Sequence, residues 1–390
     1  MKQNIFSRID AVSPRIRSIA ASIGARPELG NEEFFAFDTL TTALAEYGFR
    51  VEPHTLGLPT AFIAELDSGK PGPIVAFLAE YDALPDIGHA CGHHLICSMS
   101  VAAAVGLAEA IQEFGGKIRV YGTPAEETKG AKVLMAEAGL FRDCSFALMA
   151  HPYYAYERSG SSMAMDALRF EYRGRSAHAA ANPEEGINAL DAVIQLFNSI
   201  NALRQQTASD ARIHGVITNG GKAPNVIPDY ACADFYVRAA TRAYTNELVE
   251  KVKRCAEGAA LATGCTLEVS NYEFSYDELR TNATLSDTFT AALIELGVPE
   301  SAIQTGNDHG SLDLGNVSLQ CPAAHPYVQV VDQKYLLHSI EFRDAAMTDR
   351  AFDGMLLGAK ALAAAAYDCA SSPEKLKAIR EEFERKVLRR

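Results

Sequence analysis

The amino-acid sequence predicts an α/β protein: a mainly parallel sheet covered by helices, interrupted by an inserted α+β unit of ferredoxin-like order. Two observations carry this. Short β-rich runs at residues 61–66, 74–78, 118–121 and 146–149 alternate with helical stretches, the pattern of parallel strands joined by covering helices. From about residue 165 to 275 the rhythm changes. Strand 168–172, helix 186–203, strands 213–218 and 230–239, helix 246–261 and strand 266–269 give the order β-α-β-β-α-β.

Taken in order, residues from about 10 to 50 read as helical, with Ile16, Ile19 and Ile23 and then 34–47 in three-to-four spacing. A long helical segment at about 94–114 separates the second and third strands. Its most apolar part, 99–108, is alanine-rich, is broken by Gly106 and reads as a buried helix. After the insertion the chain returns through helix 285–296, strand 327–331 and helix 349–368. Ser371-Ser372-Pro373 then opens a charged, solvated helix over 374–389. The expected domains are 1–164 with 276–390, and 165–275.

At 390 residues the chain is too long for one ordinary core. Its 48% hydrophobic and 22% charged residues are those of a soluble globular protein. A formal charge of −13 argues against a phosphate-binding surface, so no nucleic-acid partner is expected. No run approaches ~18 apolar residues and no apolar leader is visible, so neither a membrane span nor export is expected. The eight cysteines lack CxxC spacing and read as free thiols in a reducing cytoplasm. Cys91 is the exception, because of its neighbours.

His89-Ala90-Cys91-Gly92-His93-His94 puts four potential metal ligands into six residues, just after the 74–78 strand and the acidic pair Glu80 and Asp82. Pro124-Ala125-Glu126-Glu127 follows the 118–121 strand, and His151 follows the 146–149 strand. In open parallel sheets, sites form beyond the carboxyl ends of strands, so three strand ends deliver ligand-type residues to one edge. A cocatalytic metal site needs about four to six ligands and a carboxylate that takes a proton from the shared water. Cys91, His93, Glu127, His151 and a C-terminal histidine supply such a set, with Glu126 as general base.

Glu80-Tyr81-Asp82-Ala83-Leu84-Pro85, the His89–His93 run, Pro124-Ala125-Glu126-Glu127 and His151-Pro152 resemble the M20 metallopeptidases, in their amidohydrolase subgroup. The likeness extends over about residues 60–345 and is nearest to dipeptidases of the aminoacylase-1-like kind and aminobenzoyl-glutamate hydrolases. It implies a catalytic domain plus an inserted lid that dimerises, and two divalent ions per subunit, Zn²⁺ or Mn²⁺. Cys91 would bridge the ions, with His93, Glu127, His151 and His338 as the other ligands. His338 lies in Leu337-His338-Ser339; His325 is the competing choice and is given a substrate role. Asp82 would orient a ligand histidine or sit behind the metals, and His94 only starts a helix. Many other members have His at the position of Glu80 and Asp where Cys91 stands. In Gly174-Arg175-Ser176-Ala177-His178-Ala179, His178 would steady the oxyanion in the partner subunit of a homodimer. Asn225 and Arg238 would bind the amide region and free carboxylate of a small peptide or N-acyl amino acid.

Two other readings stand beside this one. Cys91 could be the nucleophile of a cysteine hydrolase with His93 as its base, although one intervening residue is poor geometry for such a pair. The chain could also be a non-catalytic binding protein that retains the fold.

Overall fold

Every residue of the helix His93–Leu107 is buried, and the larger part of the molecule is assembled around it. The computed structural model describes residues 1–306 and 310–388. The chain divides into two units. One comprises Met1–Ser161 with the described parts of 279–309 and 313–390; the other is Ser162–Glu278 with Gly310–Leu312.

The first unit opens with helices α1 (Lys2–Gly24) and α2 (Phe34–Glu46), then strands β1 (Arg50–Pro53), β2 (Phe62–Asp67) and β3 (Ile74–Ala79). Helix α3 (His93–Leu107) continues through a 3₁₀ turn into α4 (Ile111–Phe114), followed by β4 (Lys117–Gly122) and α5 (Ala131–Glu137). Three short strands, β5 (Phe146–Leu148), β6 (His151–Tyr153) and β7 (Tyr156–Glu157), precede the second unit. The main sheet runs β1-β2-β4-β3-β5, with β3 parallel to both β4 and β5. The edge strands β1 and β2 are antiparallel. By length and composition 93–114 would suffice to cross a membrane, yet 89% of its most apolar window is buried in protein. It is a core helix, sandwiched by α1 on one side and a late helix on the other.

The second unit is β8 (Ala164–Arg173), α6 (Ala189–Leu203), β9 (Arg212–Asn219), β10 (Tyr230–Ala239), α7 (Arg242–Thr263) and β11 (Thr266–Asn271). Its antiparallel sheet has the order β11-β8-β10-β9, the arrangement of a ferredoxin-like sandwich. Local chemistry sets the helix ends. Asn188 caps α6 by accepting from Leu190 and Asp191 N–H, and Thr241 caps α7, which stops at left-handed Gly264. Leu168, Phe170, Phe235 and Val237 turn inward onto Leu196, Leu248 and Val252 to make a separate core.

Back in the first unit come α8 (Ala283–Glu295), β12 (Ile303–Gln304), α9 (Leu314–Ser318), β13 (Ala323–Ala324) and β14 (Tyr327–Gln329). Helices α10 (Ile340–Ala345), α11 (Asp349–Ala370) and α12 (Pro373–Phe383) follow. Strand β13 extends the main sheet parallel to β5, and β12-β7-β14-β6 form a small second sheet. Helix α11 is the second helix against α3.

Several expectations are corrected. The 10–50 stretch is not one helical region: α1 starts at Lys2, 25–33 is a loop, and β1 begins at Arg50. The expected strand 327–331 ends at Gln329, and helix 186–203 starts only after its Asn188 cap. The terminal helix gives way to a π turn at Glu384–Leu388, and its expected last residue, Arg389, lies outside the described residues.

Candidate metal centre

The parallel strands β4, β3, β5 and β13 present their carboxyl ends along one edge, and the loops leaving them carry the chemistry. Glu80 and Asp82 follow β3. Cys91 precedes α3 and His93 is its first residue. Between them Gly92 has φ +84°, and a Cβ there would lie 2.7 Å from Pro152 Cγ. Only glycine lets the two ligands turn inward together while the His151-Pro152 segment packs against them.

Cys91, His93 and His151 form one group of potential ligand atoms within 4.8 Å of one another; Cys91, Glu127 and His338 form a second. Cys91 is common to both, as a bridging residue must be. His93, Glu126 and Glu127 form a third such group. Cys91 Sγ is 3.5 Å from His151 Nε2, and His338 Nε2 is 3.2 Å from Glu127 Oε1. The His338 backbone N–H also donates to the Ala90 carbonyl at 3.0 Å, tying that late loop to the cysteine loop.

Each imidazole is oriented through its other nitrogen. His93 Nδ1 meets Asp82 Oδ1 at 3.1 Å and His151 Nδ1 meets the Pro152 carbonyl at 2.8 Å, so the proton belongs on Nδ1 in both. That puts the lone pair of each ring on Nε2, the arrangement a metal requires. Asp82 does more than orient a histidine. Its Oδ2 accepts from the Glu127 backbone N–H at 2.9 Å, so one buried carboxylate fixes two candidate ligand residues.

The donor set suits divalent ions. Glu127 Oε1 is buried and, despite its closeness to His338, receives no aligned hydrogen-bond donor from the described residues, a costly state that a cation relieves. Burial first, then the Glu127 carboxylate, pushes the Cys91 thiol well above its usual range, so a thiolate here needs a cation beside it. The same shift counts against Cys91 as an unassisted nucleophile. For His93, burial disfavours the proton but is outweighed by Cys91 and Asp82, and its affinity rises. Glu126 is raised well above the ordinary carboxyl value by burial, then by Glu127, Glu80 and Asp313.

His325 is buried 5.6 Å (ring centroids) from His151 and packs on Tyr327, but it joins none of the ligand groups found among the described residues. His94 is not merely a helix start: it is buried in α3 with Nε2 3.2 Å from the Ala346 carbonyl, and burial lowers its pKa to about 4.

The remaining candidates lie in the second unit. His178 is exposed, and its Nδ1 accepts from Ala180 and Ala181 N–H, both at 3.2 Å. The proton therefore sits on Nε2, which is a donor. The Ala179 N–H donates to the Asn225 carbonyl, so His178 and Asn225 lie on adjoining loops. Arg238, on β10, stacks over Tyr236 and reaches Ser311 Oγ at 3.4 Å, while its buried Nε has no hydrogen-bond acceptor among the described residues. Burial lowers its pKa and outweighs Tyr236 and the Glu273 carboxylate, which act to raise it.

Sequence reasoning missed Glu33. It is buried, its Oε1 accepts from Ala125 N–H at 2.9 Å, and its Oε2 accepts from the Thr60 hydroxyl at 2.7 Å. Ala125, just before Glu126, has φ +61°, a left-handed conformation unfavourable for alanine. Gly30 lets the 25–33 loop approach that turn, since a Cβ there would lie 2.7 Å from Ala125 Cβ. Burial and then Asp82 raise the Glu33 pKa to about 7. A raised folded-state value means the stabilising protonated form is fully present below the unfolded pKa and is lost as pH rises through 7. The wild type should therefore lose roughly 2–3 kcal/mol relative to Glu33→Gln between pH 5 and 8. Urea unfolding at both pH values checks this; parallel profiles would contradict it.

Comparison with known proteins decides the family. The chain is 38% identical over 403 residues to the Xaa-Arg dipeptidase of Mus musculus, covering 99% of this chain and 93% of that one. It is 30% identical to one of the p-aminobenzoyl-glutamate hydrolase subunits of Escherichia coli, over 92% and 90% of the two chains. The chain belongs to the M20 peptidase family. Residues 164–263 match the peptidase dimerisation domain, which is the second unit from β8 through α7. A dinuclear metal binding M20 peptidase from Bacillus subtilis has the same fold, with a TM-score of 0.69 at 20% identity over 93% and 99% of the chains. This M20 protein is a metal-dependent amide hydrolase, which removes the non-catalytic reading.

Proposed function

We propose that this M20 hydrolase cleaves the amide bond of a dipeptide bearing a free carboxylate, with Xaa-Arg dipeptides as its first substrate class. The observation that carries the reading is the convergence of Cys91, His93, Glu127, His151 and His338 beside Glu126. The mouse and human Xaa-Arg dipeptidases, 38% and 37% identical, support the substrate class. Cys91, bridging, and the four other ligands would hold two divalent ions. The thiolate favours Zn²⁺, while carboxylate and imidazole also accept Mn²⁺. Such ions supply Lewis acidity at the substrate carbonyl and at a nucleophilic water.

The chain's own residues do the rest. Glu126, half-buried and with raised proton affinity, takes the proton of the water and returns it to the departing amine. Asp82 keeps His93 and Glu127 in place during that exchange. His178 Nε2–H donates to the oxyanion, from the partner subunit of a homodimer. The edge strand β9, with Val216 and Ile217 exposed, is a surface suited to pairing with a second copy. Asn225 binds the amide region, His325 lines the substrate side of His151, and the Arg238 fork takes the substrate carboxylate. The eight unpaired thiols fit a reducing cytoplasm.

A panel of Xaa-Arg dipeptides, other dipeptides, N-acyl amino acids and aminobenzoyl-glutamate tests this reading. Turnover should vanish with chelator, return with Zn²⁺ or Mn²⁺, and show its highest kcat/KM on Xaa-Arg. Preference for aminobenzoyl-glutamate would instead favour the activity named for the Escherichia coli relative. Activity that survives chelation would refute the metal reading. Arg238→Ala should raise KM about 10- to 100-fold with kcat changed far less, because its contact is made equally in ground and transition states. An unchanged KM would remove Arg238 from the substrate site.

A further inference from the structure

Beside the ligand groups lies a charge cluster in which Lys132, Glu80 and Asp313 have no part in the mechanism above. Lys132, in the first turn of α5, is wholly buried, with Nζ 2.6 Å from Glu80 Oε1 and 2.6 Å from Asp313 Oδ1. Its backbone N–H donates to the other Asp313 oxygen at 3.2 Å, so Asp313 grips the lysine at both ends. Glu80, Glu126 and Asp313 each place an oxygen within 4.8 Å of the others, around that one ammonium.

Such a cluster is not explained by stability. Desolvating an ammonium and carboxylates offsets most of their attraction, and apolar side chains of equal volume commonly stabilise a core at least as well. Its geometry toward the metal centre is more informative. Glu80 Oε2 stands 3.6 Å from His93 Nε2, the nitrogen left free for an ion. A carboxylate at that place is a ready ligand, yet its other oxygen is held by Lys132. A catalytic metal must keep a coordination position open for water or substrate.

We propose that Lys132 is a positioning residue that holds Glu80 out of the metal coordination sphere, with Asp313 as its anchor. The inference rests on the two-ion reading given above. Lys132 binds one oxygen of Glu80 and fixes the carboxylate plane. Glu80 then faces His93 without swinging into the open position or crowding Glu126.

Cobalt(II) reports this directly, because its visible absorption weakens severalfold when coordination rises from four towards six. Cobalt-loaded Lys132→Met should show that loss of intensity and bind the ion more tightly. Its kcat should fall about 100-fold with KM within about threefold, the scale of change expected for residues that orient ligands. Adding Glu80→Gln to Lys132→Met should bring the absorption back, and Lys132→Arg should keep the wild-type spectrum. A wild-type spectrum in Lys132→Met, or a weakened one that Glu80→Gln does not reverse, overturns the proposal. If Lys132→Met does not fold, Asp313→Asn, which loosens the anchor but keeps the lysine, should show a partial weakening; an unchanged spectrum there is equally fatal. Failure of the wild-type protein to bind two ions would instead sink the metal centre itself, so the two ideas fail separately.

Discussion

Glu126→Gln is expected to bind the full metal complement and to lose about 10³- to 10⁴-fold in kcat, the range that positioned general acid–base groups contribute. The amide keeps the volume and hydrogen-bonding capacity of the carboxylate but cannot accept a proton. Glu126 sits within 4.8 Å of His93 and Glu127 in one group, and of Glu80 and Asp313 in another. It therefore faces both the ligands and the carboxylates that raise its proton affinity. Because it is charged with the proton transfer and not with holding substrate, KM should change little. Elemental analysis of the purified variant, alongside steady-state kinetics, separates loss of the base from loss of the ions. Turnover within about tenfold of wild type would remove Glu126 from that role, since general-base catalysis contributes more than this.

How much of this was legible before folding depends on what determines each feature. The candidate site residues at 91–93 and 126–127 could be read because they are dense in sequence and sit just beyond apolar runs that have to be buried strands. The β-α-β-β-α-β order was legible for a similar reason: its strands and helices are long and regularly patterned. Glu33 and Lys132 were not. In sequence Glu33 is an acidic residue before a helix, and Lys132 is a lysine in the ordinary helical stretch Ala131–Glu137. Both owe their meaning to partners far along the chain, Ala125 for the first and Asp313 for the second. The short strands β6 and β7 escaped likewise, since two or three residues acquire strand geometry only from the neighbours they pair with. His338 lay between: its loop has no periodicity, and contacts formed on folding, the backbone bond to Ala90 among them, bring it to the cysteine.

Cys91→Ala should bind at most one ion per subunit and lose at least about 10³-fold in kcat, because a two-ion clamp on the attacking and leaving groups is removed. Both the metal reading and the thiol-nucleophile reading predict inactivation by that change, so alanine alone does not separate them. Cys91→Asp does. A carboxylate can bridge two cations as a thiolate does. Cys91→Asp should therefore recover the second ion and a chelator-sensitive part of the activity, with a metal preference moved from Zn²⁺ towards Mn²⁺ as the soft sulfur is lost. A catalytic thiol has no such substitute, and the surroundings do not favour one: the side chain is buried and beside Glu127, which holds the thiol protonated until a cation compensates. The measurement is metal content and kcat for the wild type, alanine and aspartate proteins at matched Mn²⁺ concentrations. Two ions in the alanine variant would show that sulfur is not the bridge. Recovered metal without any recovered turnover in the aspartate variant would show that the sulfur acts on the substrate as well as on the ions.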